Sequence, residues 1–134
     1  MGVRVFKTPS FADWTEQRDV ADATLCKAAA EVEDGLVDAR LGGFLVKKRM
    51  AAPGRGKSGS NRAIIAHRQG DRLIFLYGFR KKDMENISKK EKAALSKLGD
   101  ILMGIVDSKI ADAVEKGTIA EVKCDEPDSQ ECAC

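Results

Sequence analysis

The chain has 134 residues, 43% hydrophobic and 33% charged, which suits one globular domain whose core can form without metal or disulfide support. Its formal net charge of +2 conceals a segregated distribution: Phe44 to Lys82 holds 11 Lys and Arg against the single acid Asp71. The preceding residues carry 5 bases and 8 acids and the following ones 7 and 12, so the basic block is the electrostatic footprint expected for a polyanion, nucleic acid above all. The opening MGVRVFKTPSF lacks the apolar run of a signal peptide, and no window approaches the roughly 18 apolar residues of a membrane span. The expectation is a cytoplasmic protein, with residues 1–123 as one domain and 124–134 as a flexible, acidic, cysteine-containing tail.

In chain order, Val3 to Thr8 alternates weakly and predicts a short edge strand, which Pro9 ends, and Ser10 or Asp13 can cap a first helix. Ala21 to Asp34 predicts a helix, because Leu25, Ala28, Ala29 and Val32 recur at three and four and Gly35 stops it. Phe44 to Met50 predicts a strand, with Lys47 and Arg49 on one face and Val46, Lys48 and Met50 on the other. After a loop rich in Gly, Pro and Ser, RAIIAHR and RLIFLYGF flank Gln69, Gly70 and Asp71 and predict a hairpin. Strict alternation sets Arg62, Ile64, Ala66 and Arg68 on one face of its first strand, and groups Leu73, Phe75, Tyr77 and Phe79 on its second. Ser88 and Glu91 form a capping box for a helix with an apolar stripe from Ala94 to about Met103. Asp107 or Ser108 starts a short helix that Gly117 ends, and Thr118 to Val122 predicts a last strand. The order predicts an α+β fold: a small, mostly antiparallel sheet with N- and C-terminal helices packed on one face and an open basic face.

Ala51 to Ser58, AAPGRGKS, satisfies a relaxed phosphate-loop pattern, but its context fails. The preceding run VKKRM is not a buried apolar strand and the following GSNRAII is β-like, so no helix N-terminus is offered to phosphates. The segment reads instead as a basic loop whose Arg55 and Lys57 can reach phosphates. Cys26 falls in a helical pattern, and Cys124, Cys132 and Cys134 lie in a polar tail without histidine or paired CxxC knuckles. That arrangement predicts reduced thiols, neither a disulfide framework nor a metal site.

LVKKRM, the basic loop GRGKSGSNR, the strand end FLYGFRKKD and the capped helix NISKKE together resemble the RelE-like toxins of type II toxin-antitoxin systems, within the RelE/ParE superfamily. The resemblance is strongest from Gly42 to Leu102. It implies a RelE-like fold and a ribosome-dependent mRNA endoribonuclease, an mRNA interferase that inhibits translation by attack of a 2′-hydroxyl on the adjacent phosphate. No metal and no other cofactor is implied. The implied partners are a cognate antitoxin, which in some systems has a helix-turn-helix domain, together with the ribosome and mRNA; DNA would be met only through the antitoxin complex.

Carried over by position, Lys47 and Arg49 match the family's basic strand, Arg62 its central-strand arginine and Lys81 its last cation. The resemblance casts Arg62 and Lys81 as phosphate and transition-state stabilisers, and Lys47 as acid or base, since crowding by cations favours a neutral amine. Lys48, Arg55, Lys57, Arg80 and Lys82 are candidate RNA contacts, and Tyr77 or Phe79 can stack a base. Some relatives place a tyrosine or histidine after this point for proton transfer, whereas Lys82 to Ile87 contains neither. The sole histidine, His67, alternates to the face opposite Arg62 and reads as packing rather than catalysis. Lys89, Lys90 and Lys92 read as a solvated helix face, and Leu73, Phe75 and Leu95 as core. Two other function classes fit the basic block: a ParE-like poison of DNA gyrase, and a non-catalytic RNA- or ribosome-binding protein.

Overall fold

The computed structural model describes residues 3–50, 61–81 and 88–124. Chain order is β1 (Arg4–Lys7), α1 (Pro9–Arg18), α2 (Asp22–Glu33), β2 (Ala39–Gly42), β3 (Leu45–Arg49), β4 (Asn61–Arg68), β5 (Arg72–Arg80), α3 (Lys89–Met103), a 3-10 turn (Asp107–Lys109), α4 (Ile110–Glu115) and β6 (Ala120–Val122). The strands form one six-stranded sheet ordered β2-β3-β4-β5-β1-β6, antiparallel except where β1 runs parallel to β5. The α+β class is as expected. β1, however, is not an edge strand: β6 pairs on its outer side, and Phe6 is fully buried.

The helices divide between the two faces of the sheet, which corrects the expectation of helices on one face only. α1 and α2 cover the face that carries Val46, Ala63, Ile65, Leu73 and Phe75. α3 and α4 cover part of the other, over Leu45, Ile64, Ala66, Ile74 and Leu76. β4 and β5 are buried at nearly every position from Asn61 to Ala66 and from Arg72 to Leu76, as strands covered on both sides must be. Gly99 lets α3 approach closely; a Cβ there would stand 3.3 Å from Leu45 and 3.5 Å from Ala66. At the far end of that face Arg49 is exposed and Lys47 partly so, whereas Arg62 is buried.

Local signals explain the element ends. Thr8, rather than Ser10 or Asp13, caps α1: its Oγ1 accepts from the Phe11 N–H at 3.2 Å, with Pro9 in the first turn. Ser88 and Glu91 form the expected capping box on α3. Gly42 and Gly43, at φ 101° and 56°, turn β2 into β3, a hairpin that the sequence reading passes over. β5 has nine residues against eight in β4, and the extra one is taken up at Leu76, where the pairing shifts between Ile64 and Ile65. This bulge moves Tyr77 and Phe79 to the face of Ile64 and Arg62, away from Leu73 and Phe75. Thr8 secures it, its N–H donating to the Phe75 carbonyl at 3.1 Å and its hydroxyl to the Leu76 carbonyl at 3.2 Å.

Cys26 of α2 and Cys124 are joined in a disulfide, their Cα atoms 5.4 Å apart. This corrects the expectation of reduced thiols for these two residues. The pairing could not be read from spacing, since 98 residues separate them and only the return of β6 beside α2 brings them together. Cys132 and Cys134 lie outside the described residues.

Candidate active site

β3, β4 and β5 bring the predicted cations onto one face by pairing alone. Arg49 stands directly opposite Arg62, Lys47 opposite Ile64, Arg62 opposite Phe79 and Ile64 opposite Tyr77. Side chains paired across antiparallel strands share a face at roughly 5 Å, so Arg49, Arg62 and Lys47 lie on one face of the sheet with Tyr77 and Phe79. Two like charges directly opposite one another oppose strand pairing. Arg62 is buried and Arg49 half exposed.

Asp38, just before β2, enters this site from the sheet edge. Its backbone N–H donates to the Lys47 carbonyl at 2.9 Å, and its Oδ1 lies 3.4 Å from Arg49 Nε. Burial lowers the pKa of Arg62 from its ordinary value; the Asp38 charge counters this and the Arg49 charge adds to it. The Arg62 guanidinium also donates to the Asn61 carbonyl at 3.3 Å. Asn61 is itself held on the far side of the sheet, its Oδ1 accepting from Arg18 Nε and Nη2 at 3.2 and 3.1 Å. The sequence reading missed Asp38, and only the turn of β2 against β3 could have revealed it.

The remaining cations separate into distinct groups. Lys81 is exposed and directly follows β5, two residues beyond Phe79, the partner of Arg62. Lys48 points to the α2 face, where its Nζ lies 2.9 Å from Glu31 and donates to the Leu36 carbonyl at 2.7 Å. It is buried, so its place as an RNA contact is withdrawn. Arg80 pairs with Asn61 on the α1 face, away from Arg62. Arg68 and Arg72 serve the C-terminal end of α3: Arg72 donates to the Leu102 carbonyl at 3.0 Å and to Asp107 at 2.8 Å, and Arg68 to the Met103 carbonyl at 3.3 Å. Both satisfy orphan carbonyls and favour the negative end of the helix dipole. Arg55, Lys57 and Lys82 lie outside the described residues.

Of the two aromatics, Phe79 is buried in its place opposite Arg62, which leaves little of its ring for a base. Tyr77 is partly exposed and stacks on Phe79 with ring centroids 6.1 Å apart. His67 lies on the α2 face, its Nε2 2.6 Å from Glu33, in keeping with a packing role. Glu33 also accepts from the Gly70 N–H at 2.9 Å. Burial raises the Glu33 pKa, but the bonds to His67 and Gly70 and the His67 charge outweigh it, so the carboxyl titrates below its ordinary value.

The family described as the RelE toxin of the RelE / RelB toxin-antitoxin system matches residues 3–122, from before β1 to the end of β6. The chain belongs to the RelE toxin family. As a RelE toxin it is the toxin component of a toxin-antitoxin system, and an antitoxin is its partner. No curated protein matches the chain. No helix among the described residues is long and apolar enough to cross a membrane.

Proposed function

We propose that this toxin is an endoribonuclease that cuts mRNA on the ribosome and so arrests translation. The observation that carries the reading is the Arg49–Arg62 pair, directly opposed across β3 and β4 with Lys47 on the same face, in a chain of the RelE family. Guanidiniums are the side chains best suited to bidentate recognition of a phosphate.

In this mechanism the 2′-hydroxyl of one nucleotide attacks the phosphorus that follows it. The bond to the 5′-oxygen breaks, leaving a 2′,3′-cyclic phosphate and a free 5′-hydroxyl. Arg62, buried and fixed through Asn61, stabilises the extra negative charge of the phosphorane, with Arg49 beside it. Lys81 assists the departing oxygen from the end of β5, and Lys47 is the candidate for proton transfer. Tyr77 offers a ring to an unstacked base. Arg55, Lys57 and Lys82 would contribute phosphate contacts. No step calls for a metal, since cations of the chain carry the charge that a metal would otherwise carry.

Induced expression in a bacterium tests the reading, with wild type beside Lys81→Ala and Arg62→Ala, growth followed, and an abundant message mapped by primer extension. Growth arrest with new cuts inside translated codons, absent in both variants, is the expected result. Arrest without cuts would overturn it in favour of a gyrase poison, and unchanged cutting by either variant would remove that residue from the site.

A further inference from the structure

Asp38 is an acid set against Arg49 and Arg62, and the arrangement around it is specific. Its backbone is tied to β3 through the Lys47 carbonyl, so the carboxylate is held at the sheet edge rather than on a free loop. Its Oδ1 forms an ion pair with Arg49, the nearest nitrogen being Nε at 3.4 Å. A guanidinium has two edges that can meet an oxyanion, one formed by Nε with one Nη and the other by the two Nη atoms. A carboxylate at Nε therefore leaves the second edge for another anion. The same charge acts on Arg62, where it supports the charged form against burial and against Arg49.

We propose that Asp38 is a positioning residue of the phosphate site, holding Arg49 by its Nε edge so that the Nη edge faces the phosphate shared with Arg62. The proposal rests on the phosphate-cleaving reading of this face. Asp38 has two effects in it. Before substrate arrives, it offsets the repulsion between two arginines that strand pairing sets opposite one another. After substrate arrives, it fixes the orientation of one of them, so that charge stabilisation requires no search through arginine rotamers at the moment of reaction. Because its negative charge also lies near the incoming phosphate, Asp38 lowers general affinity for RNA while raising the rate of the chemical step.

That split gives the test. Wild type, Asp38→Asn, Asp38→Ala and Asp38→Glu are compared in single-turnover cleavage of mRNA in a stalled ribosome complex. Binding is measured with a short single-stranded RNA carrying 2′-O-methyl groups, which cannot be cut. Asp38→Ala and Asp38→Asn are expected to cut about tenfold or more slowly, to bind the blocked RNA as well as or better than wild type, and Asp38→Glu to recover part of the rate. Equal losses of rate and binding, or no loss of rate, would overturn the proposal. The chemical shift of the Arg49 Nε–H group, followed by NMR, gives a readout that does not depend on cleavage: loss of the ion pair in Asp38→Ala is expected to change it. A wild type that fails to cut would refute the nuclease reading, and an Arg49 proton indifferent to Asp38→Ala would refute the positioning role.

Discussion

Gly78 in β5 faces α1 so closely that a Cβ there would stand 2.2 Å from the Trp14 ring, where ordinary contact begins near 3.4 Å. Gly78→Ala therefore forces the ring to retreat by about 1.2 Å, the difference between these two distances. The ring has little room: it packs on Phe11 at 5.6 Å between centroids, and Phe11 stacks on Phe75 at 5.0 Å. Overpacking costs about 1–3 kcal/mol and the loss of an aromatic pair about 1 kcal/mol more, so Gly78→Ala should cost about 3 kcal/mol, or roughly 10 °C in Tm. Once Trp14 is removed, the clash is gone, and alanine is favoured over glycine in a strand by about 0.5 kcal/mol. Urea unfolding of wild type, Gly78→Ala, Trp14→Ala and the double variant, followed by circular dichroism because Trp14 is the sole tryptophan, measures the coupling. A cost below about 1 kcal/mol in wild type, or an equal cost in both backgrounds, would refute the reasoning.

The Cys26–Cys124 disulfide closes a span of 98 residues and should contribute about 4–5 kcal/mol on the chain-entropy account, so a reductant should lower the urea midpoint of wild type and leave that of Cys26→Ser unchanged. Glu33 and Glu121 both titrate below their ordinary value of 4.5; for Glu121 the hydrogen bond from Arg4 leads, opposed by burial and aided by the charges of Arg4 and Lys123. Groups depressed in the folded state add stability above their unfolded pKa and lose it as pH falls through the folded one. Acid unfolding should thus steepen below about pH 4.5, and Glu33→Gln with Glu121→Gln should flatten that limb. Arg72→Met removes the donors to Leu102 and Asp107 and should cost about 2–3 kcal/mol in thermal unfolding, whereas Arg49→Met, in the open part of the sheet, should cost little.

Elements defined by local chemistry were legible in the sequence. The capping box of Ser88 and Glu91, the stripe along α2 and the hairpin around Gly70 depend on residues near one another, and each lies where periodicity puts it. Facial assignments were legible only while alternation held: it separated Lys47 and Arg49 from Lys48, yet it misplaced Tyr77 and Phe79, because the bulge at Leu76 arises from the mismatch of two strand lengths. The runs AII and LIFL, apolar at every residue, already contradict a sheet open on one face, since such a strand must be covered on both. What could not be read is which cations serve the fold. Lys48, Arg68 and Arg72 look like the site residues in sequence and differ only in their distant partners, Glu31 and the carbonyls that end α3. Asp38 escaped notice for the same reason, its significance lying in the strand that returns beside it.

The most direct measurement is cleavage by purified toxin of an end-labelled mRNA, with and without ribosomes, in excess chelator, with the product ends identified chemically. Cutting only in the presence of ribosomes, undiminished by the chelator, with 2′,3′-cyclic phosphate and 5′-hydroxyl ends that vanish in Arg62→Ala, is the predicted result. Cleavage that the chelator abolishes, or products with 5′-phosphate ends, would contradict the assignment of the Arg49–Arg62 face as a metal-independent nuclease centre.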